Sequence, residues 1–137
     1  MSLKATKIKN KCIELYKKSL KKSEKNWPFD IRKGLRCINR HLFDTDYSVN
    51  KMRERCGIAD TNFSTRFRNY VGMTPREYIV YHRIHAGKLL LGHEKLDQVH
   101  ITEIGFTVGY EKPSSFTMAF KKQTGTTPKA WKKRSKV

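Results

Sequence analysis

Two short segments of the sequence carry small polar side chains followed closely by basic ones. The first contains Thr61, Asn62, Ser64 and Thr65 and then Arg66 and Arg68; the second contains Lys112, Ser114, Ser115, Thr117 and Met118 and then Lys121 and Lys122. Hydroxyl and amide groups can hydrogen-bond to base edges, and a Met side chain can contact a thymine methyl group. Lys and Arg pair with phosphate. We therefore predict that the small polar residues and Met118 contact bases and that the basic residues contact phosphates.

The sequence offers little for any other chemistry. The histidines are scattered, and His82 and His85, three residues apart, have no carboxylate or thiol nearby in sequence to complete a metal site. Phosphate-binding loops, nucleophile elbows and paired acidic motifs are missing. We predict that the protein is not an enzyme and uses no cofactor and no metal ion.

Charge is the strongest compositional signal. The chain has 30 Lys and Arg against 12 Asp and Glu, a net charge of +18, together with 37% hydrophobic residues. Such a field attracts a polyanion, and the hydrophobic content indicates a folded domain rather than a charged tail. Two alternatives to DNA stay open: a helical RNA-binding module, which would need exposed aromatic residues for stacking, and a basic module that binds a membrane or a partner protein.

The three cysteines, Cys12, Cys37 and Cys56, are odd in number and widely spaced. Because they form no CxxC pair and no Cys/His spacing typical of zinc, they indicate a reducing compartment rather than a disulfide framework or a zinc site. No apolar run reaches the length of about 18 residues that a membrane span needs, and the first residues lack the apolar segment of a signal peptide. We expect no membrane contact.

Helical periodicity extends over most of the chain, so the predicted fold class is all-α. The predicted helices cover residues 5–23, 30–42, 49–56, 60–71, 75–93, 101–108, 113–124 and 128–135. Thr74-Pro75-Arg76-Glu77 is a strong helix start, because Thr can cap, Pro suits the first position and Glu can complete a capping box. Phe63, Phe67 and Tyr70 are predicted to form the core face of the fourth helix.

The second half of the chain repeats the first. GMTPREY returns 53 residues later as GTTPKAW, and the same separation pairs Phe63 with Phe116; upstream, Gly57 pairs with Gly109 at a separation of 52. Each copy predicts a short helix, a glycine-containing turn, a second helix with an aromatic inner face, and a Thr-Pro restart. That arrangement is a helix-turn-helix, present twice.

Residues 101–134 carry a further pattern: Ile-x-x-Ile, Val-Gly-Tyr, Ser-x-Phe, Phe-Lys-Lys, Gly-x-x-Pro and a terminal aromatic followed by Lys and Arg. With these motifs, the chain from about residue 30 to residue 134 resembles the double helix-turn-helix domain of AraC/XylS-type bacterial transcription regulators. The resemblance implies sequence-specific binding of double-stranded DNA, with two recognition helices in successive major-groove segments. It also implies a cytoplasmic, nucleoid-associated bacterial protein, with RNA polymerase as a candidate partner.

The predicted layout has two parts. Residues 1–28 form a basic N-terminal helix or connector, and residues 29–137 form the DNA-binding domain. Within that domain we expect a first helix-turn-helix at 30–73, a linker helix at 75–93 and a second helix-turn-helix at 98–135. The N-terminal helix is expected to pack on its neighbour or to self-associate, and a sensor domain upstream of it is a further expectation.

Three residues depart from the family pattern. Arg53 stands where relatives usually have a small residue, Ala59 where they have a capping Ser or Thr, and Met118 where they often have Arg. Met cannot make the bidentate contact with guanine that Arg makes. The second recognition helix is therefore expected to contribute more to positioning than to specificity.

Overall fold

The computed structural model describes residues 2–135, and in that part of the chain it is entirely helical. The helices are α1 (Leu3–Lys18), α2 (Phe29–His41), α3 (Val49–Cys56), α4 (Phe63–Val71), α5 (Pro75–Leu91), α6 (Ile101–Thr107), α7 (Pro113–Thr124) and α8 (Pro128–Arg134), with a 3₁₀ turn at Glu94–Leu96. The all-α fold class predicted from the sequence is confirmed. Among the residues described, no helix has the length and apolar character needed to cross a bilayer.

Local sequence signals place most helix ends correctly. Ser48 caps α3 by accepting from Lys51 N, and the Thr74 and Glu77 side chains form the predicted capping box at the start of α5. The largest boundary errors concern α1, which ends at Lys18 rather than at residue 23, and α4, which begins at Phe63 rather than at residue 60. Both segments are mostly polar and continue a helical pattern, although Leu20 beyond the end of α1 is buried.

Glycines mark the repeat in the backbone. The glycines with positive φ are Gly57 (64°), Gly72 (97°), Gly109 (114°) and Gly125 (80°), which form the two pairs that the sequence repeat matches. A left-handed conformation is costly for residues with a Cβ, so these positions favour glycine. The first unit (α2–α4) and the second unit (α6–α8) each contain one helix-turn-helix, α3–α4 and α6–α7, and these two pairs turn and stop in the same way.

The repeat also extends further upstream than the sequence indicated. Phe63 packs against Gly34 of α2, where an added Cβ would lie 2.6 Å from the ring, and Phe116 packs against Gly87 of α5, where the distance would be 3.2 Å. Gly34 and Gly87 are 53 residues apart, the same separation as Phe63 and Phe116. Tyr70, predicted to be a core residue, is 40% exposed and lies beside Trp27 instead, because α4 turns that position away from α5.

Helix α5 is the shared support of both units. It contacts α4 of the first unit, α6 and α7 of the second, and also α1 and α8. Its buried residues occur on several sides and include Tyr78, Ile79, Ile84, Leu90 and Leu91. With 17 residues, its length is about 25 Å.

Arg83 of α5 connects the two units through a buried guanidinium group. Its Nε donates to Leu42 O (2.8 Å), and its Nη2 donates to Asp44 O (2.9 Å) and Tyr47 O (3.3 Å), which all lie between α2 and α3. The same group lies 5.4 Å from the centre of the Tyr110 ring. Gly109 also lies against this group, because a Cβ added at Gly109 would be 2.5 Å from Arg83 Nε. Burial lowers the pKa of Arg83, and the three carbonyl partners offset that desolvation.

Substituting Arg83 tests this connection. Arg83→Met keeps a long stem but removes the donors, so the carbonyls of Leu42, Asp44 and Tyr47 lose their partner. We expect the free energy of unfolding, measured by urea denaturation, to fall by about 2–4 kcal/mol. Arg36→Met, at an exposed site of α2, is the control and should change it by less than about 0.5 kcal/mol. Equal urea midpoints for the two variants would contradict this role of Arg83.

Helix α1 forms hydrogen bonds to three other helices. Lys9 Nζ donates to Thr107 Oγ1 of α6 (3.1 Å), and Lys17 Nζ donates to Arg40 O of α2 (2.8 Å). The Tyr16 hydroxyl lies 2.7 Å from Nδ1 of His82 in α5. Packing on its neighbours was one of the two roles predicted for this helix; self-association stays a prediction.

His82 makes this contact in its neutral form. Burial, and to a lesser degree the nearby His85, lower the pKa of His82 to about 4. An unfolded chain takes up this proton near pH 6.5. Between these values the unfolded state binds more protons than the folded state, so folding loses stability as the pH falls from about 6.5 to about 4.

Replacing His82 should remove that part of the pH dependence. In His82→Asn, the side-chain amide can still accept from the Tyr16 hydroxyl, but it does not titrate. We expect the free energy of unfolding to fall less steeply for the variant than for the wild type between about pH 6.5 and about pH 4. Urea denaturation across this range measures the slopes, and parallel curves would show that His82 is not the titrating group.

The structure contains one disulfide, although the cysteine spacing did not indicate a disulfide framework. Cys37 of α2 and Cys56 at the end of α3 are bonded, with their Cα atoms 7.1 Å apart and 19 residues apart in sequence, while Cys12 is free. Spacing rules missed the pair because packing of α2 on α3, and not a local motif, brings the two residues together. Closing a loop of this length stabilises a fold by about 3 kcal/mol.

Candidate nucleic-acid interface

In the first unit, the predicted base contacts surround the beginning of α4. Thr61 and Asn62 are exposed and lie in the turn before the helix, and Thr65 is exposed in its first turn. Ser64 is half-buried and faces a cleft beside α5. The structure therefore presents Thr61, Asn62 and Thr65 to solvent together, at the helix end that enters the groove in helix-turn-helix proteins.

The turn before α4 is held without the usual capping residue. Asn62 occupies the N-cap position but makes no side-chain capping bond. Asp60 Oδ1 instead accepts from Asn62 N (2.9 Å), and Arg53 Nη2 donates to Asp60 O (2.6 Å). Two of the departures from the family pattern are thus connected: Arg53 supports the turn that lacks a cap at Ala59.

Arg66 is already engaged by carboxylates. Its guanidinium group donates to both oxygens of Asp30 (2.7 and 3.0 Å) and to Asp60 Oδ2 (2.8 Å). Hydrogen bonding by Arg66 holds the pKa of Asp30 below its usual range. A phosphate would have to compete with these two carboxylates for the guanidinium group of Arg66. Arg68, two residues on, is exposed.

The second unit presents its predicted contacts without such constraints. Lys112 occupies the N-cap position of α7. All the residues predicted to contact DNA in this unit are exposed: Lys112, Ser114, Ser115, Thr117, Met118, Lys121 and Lys122. Met118 is 73% exposed.

The phenylalanines of both recognition helices face inward, whereas Tyr70 at the end of α4 is 40% exposed. Phe63, Phe67, Phe116 and Phe120 are each at most 1% exposed. They cannot serve as stacking platforms for unpaired bases, which single-stranded RNA recognition requires. Within residues 2–135, no group of His, Cys, Asp and Glu side chains is arranged to hold a metal ion.

Sequence reasoning missed the residues that hold these helices in place. Arg83, Asp30 and Asp60 act through contacts with residues 6 to 41 positions away along the chain. Only Arg83 leaves a trace in the sequence, since it is a charged residue among Ile79, Ile84 and Leu90 on a buried helix. Such a residue is expected to have a buried partner.

Comparison with known proteins decides the family. A family model described as a helix-turn-helix domain matches residues 52–134, more than half of the chain. The regulator AlkR of Acinetobacter baylyi, an HTH-type transcriptional regulator, is 32% identical over 89 residues, which cover 65% of this chain and 28% of AlkR. The chain belongs to the AraC family of transcription regulators. The sequence-based identification is confirmed, and the RNA-binding and membrane-binding alternatives are not favoured.

Other relatives agree with this AraC-family assignment. The arabinose operon regulatory protein of Escherichia coli K12 is 26% identical over 98 residues, covering 72% of this chain and 32% of that protein. Histidine kinase P4 of Formosa agariphila is 21% identical over 104 residues, 76% of this chain but 7% of the kinase. The chain thus spans about a third or less of the length of these curated relatives.

A solved structure agrees with the AraC-type fold. The C-terminal domain of AraT, a response regulator from Geobacillus stearothermophilus, superposes with a TM-score of 0.68 at 22% identity, covering 80% of this chain and 88% of that one. The match extends beyond residues 52–134 and therefore includes helices that precede the first helix-turn-helix.

Proposed function

We propose that this AraC-type domain binds double-stranded DNA sequence-specifically by placing α4 and α7 in successive major-groove segments. The observation that carries the proposal is the attachment of both helix-turn-helix units to α5, with Arg83 contacting both. The length of α5, about 25 Å, is comparable with one turn of duplex, about 34 Å. Two recognition helices attached to a support of this length can face one side of the DNA.

The proposed division of labour follows exposure and charge. Base edges are contacted by Thr61, Asn62, Ser64, Thr65, Ser114, Ser115, Thr117 and Met118, and phosphates by Arg68, Lys112, Lys121 and Lys122. Arg66 is left out of the phosphate contacts because Asp30 and Asp60 already neutralise it. In the first unit its role is to hold α4 against α2.

The setting of the domain is also a proposal. The names of the relatives, which include a histidine kinase and HTH-type regulators, support a sensor domain joined upstream of α1. A regulator of transcription acts on chromosomal DNA, so we place the protein in the bacterial cytoplasm with the nucleoid, and RNA polymerase is its expected partner. We also propose that the protein self-associates through α1. We propose no enzymatic activity.

Salt dependence tests the electrostatic part. If about six phosphates are neutralised, the logarithm of affinity for a duplex selected from a random library should fall with the logarithm of salt concentration with a slope near −5. Fluorescence anisotropy at several salt concentrations gives the slope. A slope near zero would remove polyanion binding, and with it the proposed function.

Paired substitutions test which residues carry sequence information. Arg68→Ala and Lys121→Ala should weaken binding to specific and random duplexes by similar factors, because phosphate contacts carry no base information. Asn62→Ala and Thr65→Ala should cost about 1–3 kcal/mol on the selected duplex and much less on a random one. Lys7→Ala, at an exposed site of α1, is the control. Unchanged base preference in both Asn62→Ala and Thr65→Ala would show that another face of α4 meets the DNA.

A further inference from the structure

A cleft of about 580 Å³ lies between the two helix-turn-helix units. Its walls include Ser48 and Asn50 from the start of α3, Ser64 of α4, Arg76 of α5 and Tyr110 of the second unit. Ser64 belongs to the proposed base-contacting set of the first unit. The cleft therefore opens beside the end of α4 that meets DNA in the proposed function.

The cleft has more hydrogen-bond donors than acceptors. It is lined by two arginines and, within the described residues, by no Asp or Glu. Arg83 is bonded to carbonyls, whereas Arg76 is exposed. Tyr47, only 4% exposed, also lines the cleft, and its hydroxyl has no hydrogen-bond partner within residues 2–135, whereas the Tyr110 hydroxyl interacts with Arg83. A buried polar group without a partner calls for an acceptor that the protein itself does not supply.

The start of α3 adds backbone donors to this cleft. The first helical bond runs from Met52 N to Ser48 O, and Lys51 N donates to the Ser48 side chain. The amides of Val49 and Asn50 precede these bonds and carry the positive end of the helix dipole.

Within residues 2–135, no carboxylate caps the start of α3. The first turn of α3 contains no acidic residue, whereas at the start of α5 the Glu77 carboxylate bonds to Thr74 N. The nearest acid in sequence, Asp46, is turned towards Lys51 and Arg55. The backbone amides at the start of α3 can therefore bind an external anion in this cleft.

We propose that this cleft binds one phosphate of the DNA backbone, on the stretch that joins the two major-groove segments. The amides of Val49 and Asn50 donate to its oxygens and Arg76 supplies the positive charge. The phosphate, directly or through one water molecule, also supplies the acceptor that the Tyr47 hydroxyl lacks. This inference rests on the proposed function, and it assigns DNA contacts to residues outside both recognition helices.

Neutral phosphates test the contact position by position. In a selected duplex, single phosphates are replaced one at a time by methylphosphonate, and the affinity of the full chain is measured for the wild type and for Arg76→Ala. Arg76 is exposed in the first turn of α5, so the alanine variant should fold, and circular dichroism checks this. For the wild type, we expect one phosphate between the two segments whose replacement weakens binding about tenfold.

Arg76→Ala should bind the unmodified duplex about tenfold more weakly, with a salt slope shallower by about one. At the identified phosphate, methylphosphonate should then cost Arg76→Ala far less than it costs the wild type, while replacements facing α4 and α7 cost both proteins equally. Lys7→Ala should behave as the wild type at every position. An equal cost for Arg76→Ala and wild type at every phosphate would overturn the inference and leave the proposed function standing. Absence of duplex binding by the wild type would instead overturn the proposed function.

Discussion

The separation of the two DNA-contacting units depends on one buried cation. Within residues 2–135, no carboxylate forms an ion pair with Arg83. Its guanidinium group donates to backbone carbonyls of the first unit. The Tyr110 ring and Gly109 of the second unit lie against the same group. Backbone carbonyls cannot move away as a flexible side chain can, so these bonds define the orientation of the first unit on α5. Helix packing alone would permit small rotations, because apolar contacts have little directionality. Directional bonds to a charged group remove that freedom.

The two units share their backbone features but differ in the side chains on their outer faces. Their glycines, their phenylalanines and their Thr-Pro restarts match, because every copy must turn, pack and stop in the same way. Their outer faces do not match: α4 is tied to its neighbours by Asp30, Arg66 and Asp60, whereas Lys121 and Lys122 of α7 remain exposed. The first unit therefore has a basic side chain that is held by carboxylates, whereas the second has two exposed lysines near Met118.

Sequence reasoning succeeded where the determining interaction is local. The capping box at Thr74, the glycine stop at Gly72 and the aromatic spacing of Phe63 and Phe67 each depend on residues within one or two turns. It missed interactions whose partner is distant in sequence. The guanidinium group of Arg66 bonds to Asp30, 36 residues away, and no local pattern indicates this pair. The disulfide between Cys37 and Cys56 was missed for the same reason, since only the packing of two helices brings the sulfur atoms together.

Helix α1 lies outside the residues matched by the helix-turn-helix family model, yet it contacts both units of the domain. Lys9 reaches α6, Lys17 reaches the end of α2, and Tyr16 reaches His82 on the shared support. Helix α1 is thus bonded to α2, to α6 and to the helix that supports both units, and its position is coupled to theirs by direct contacts.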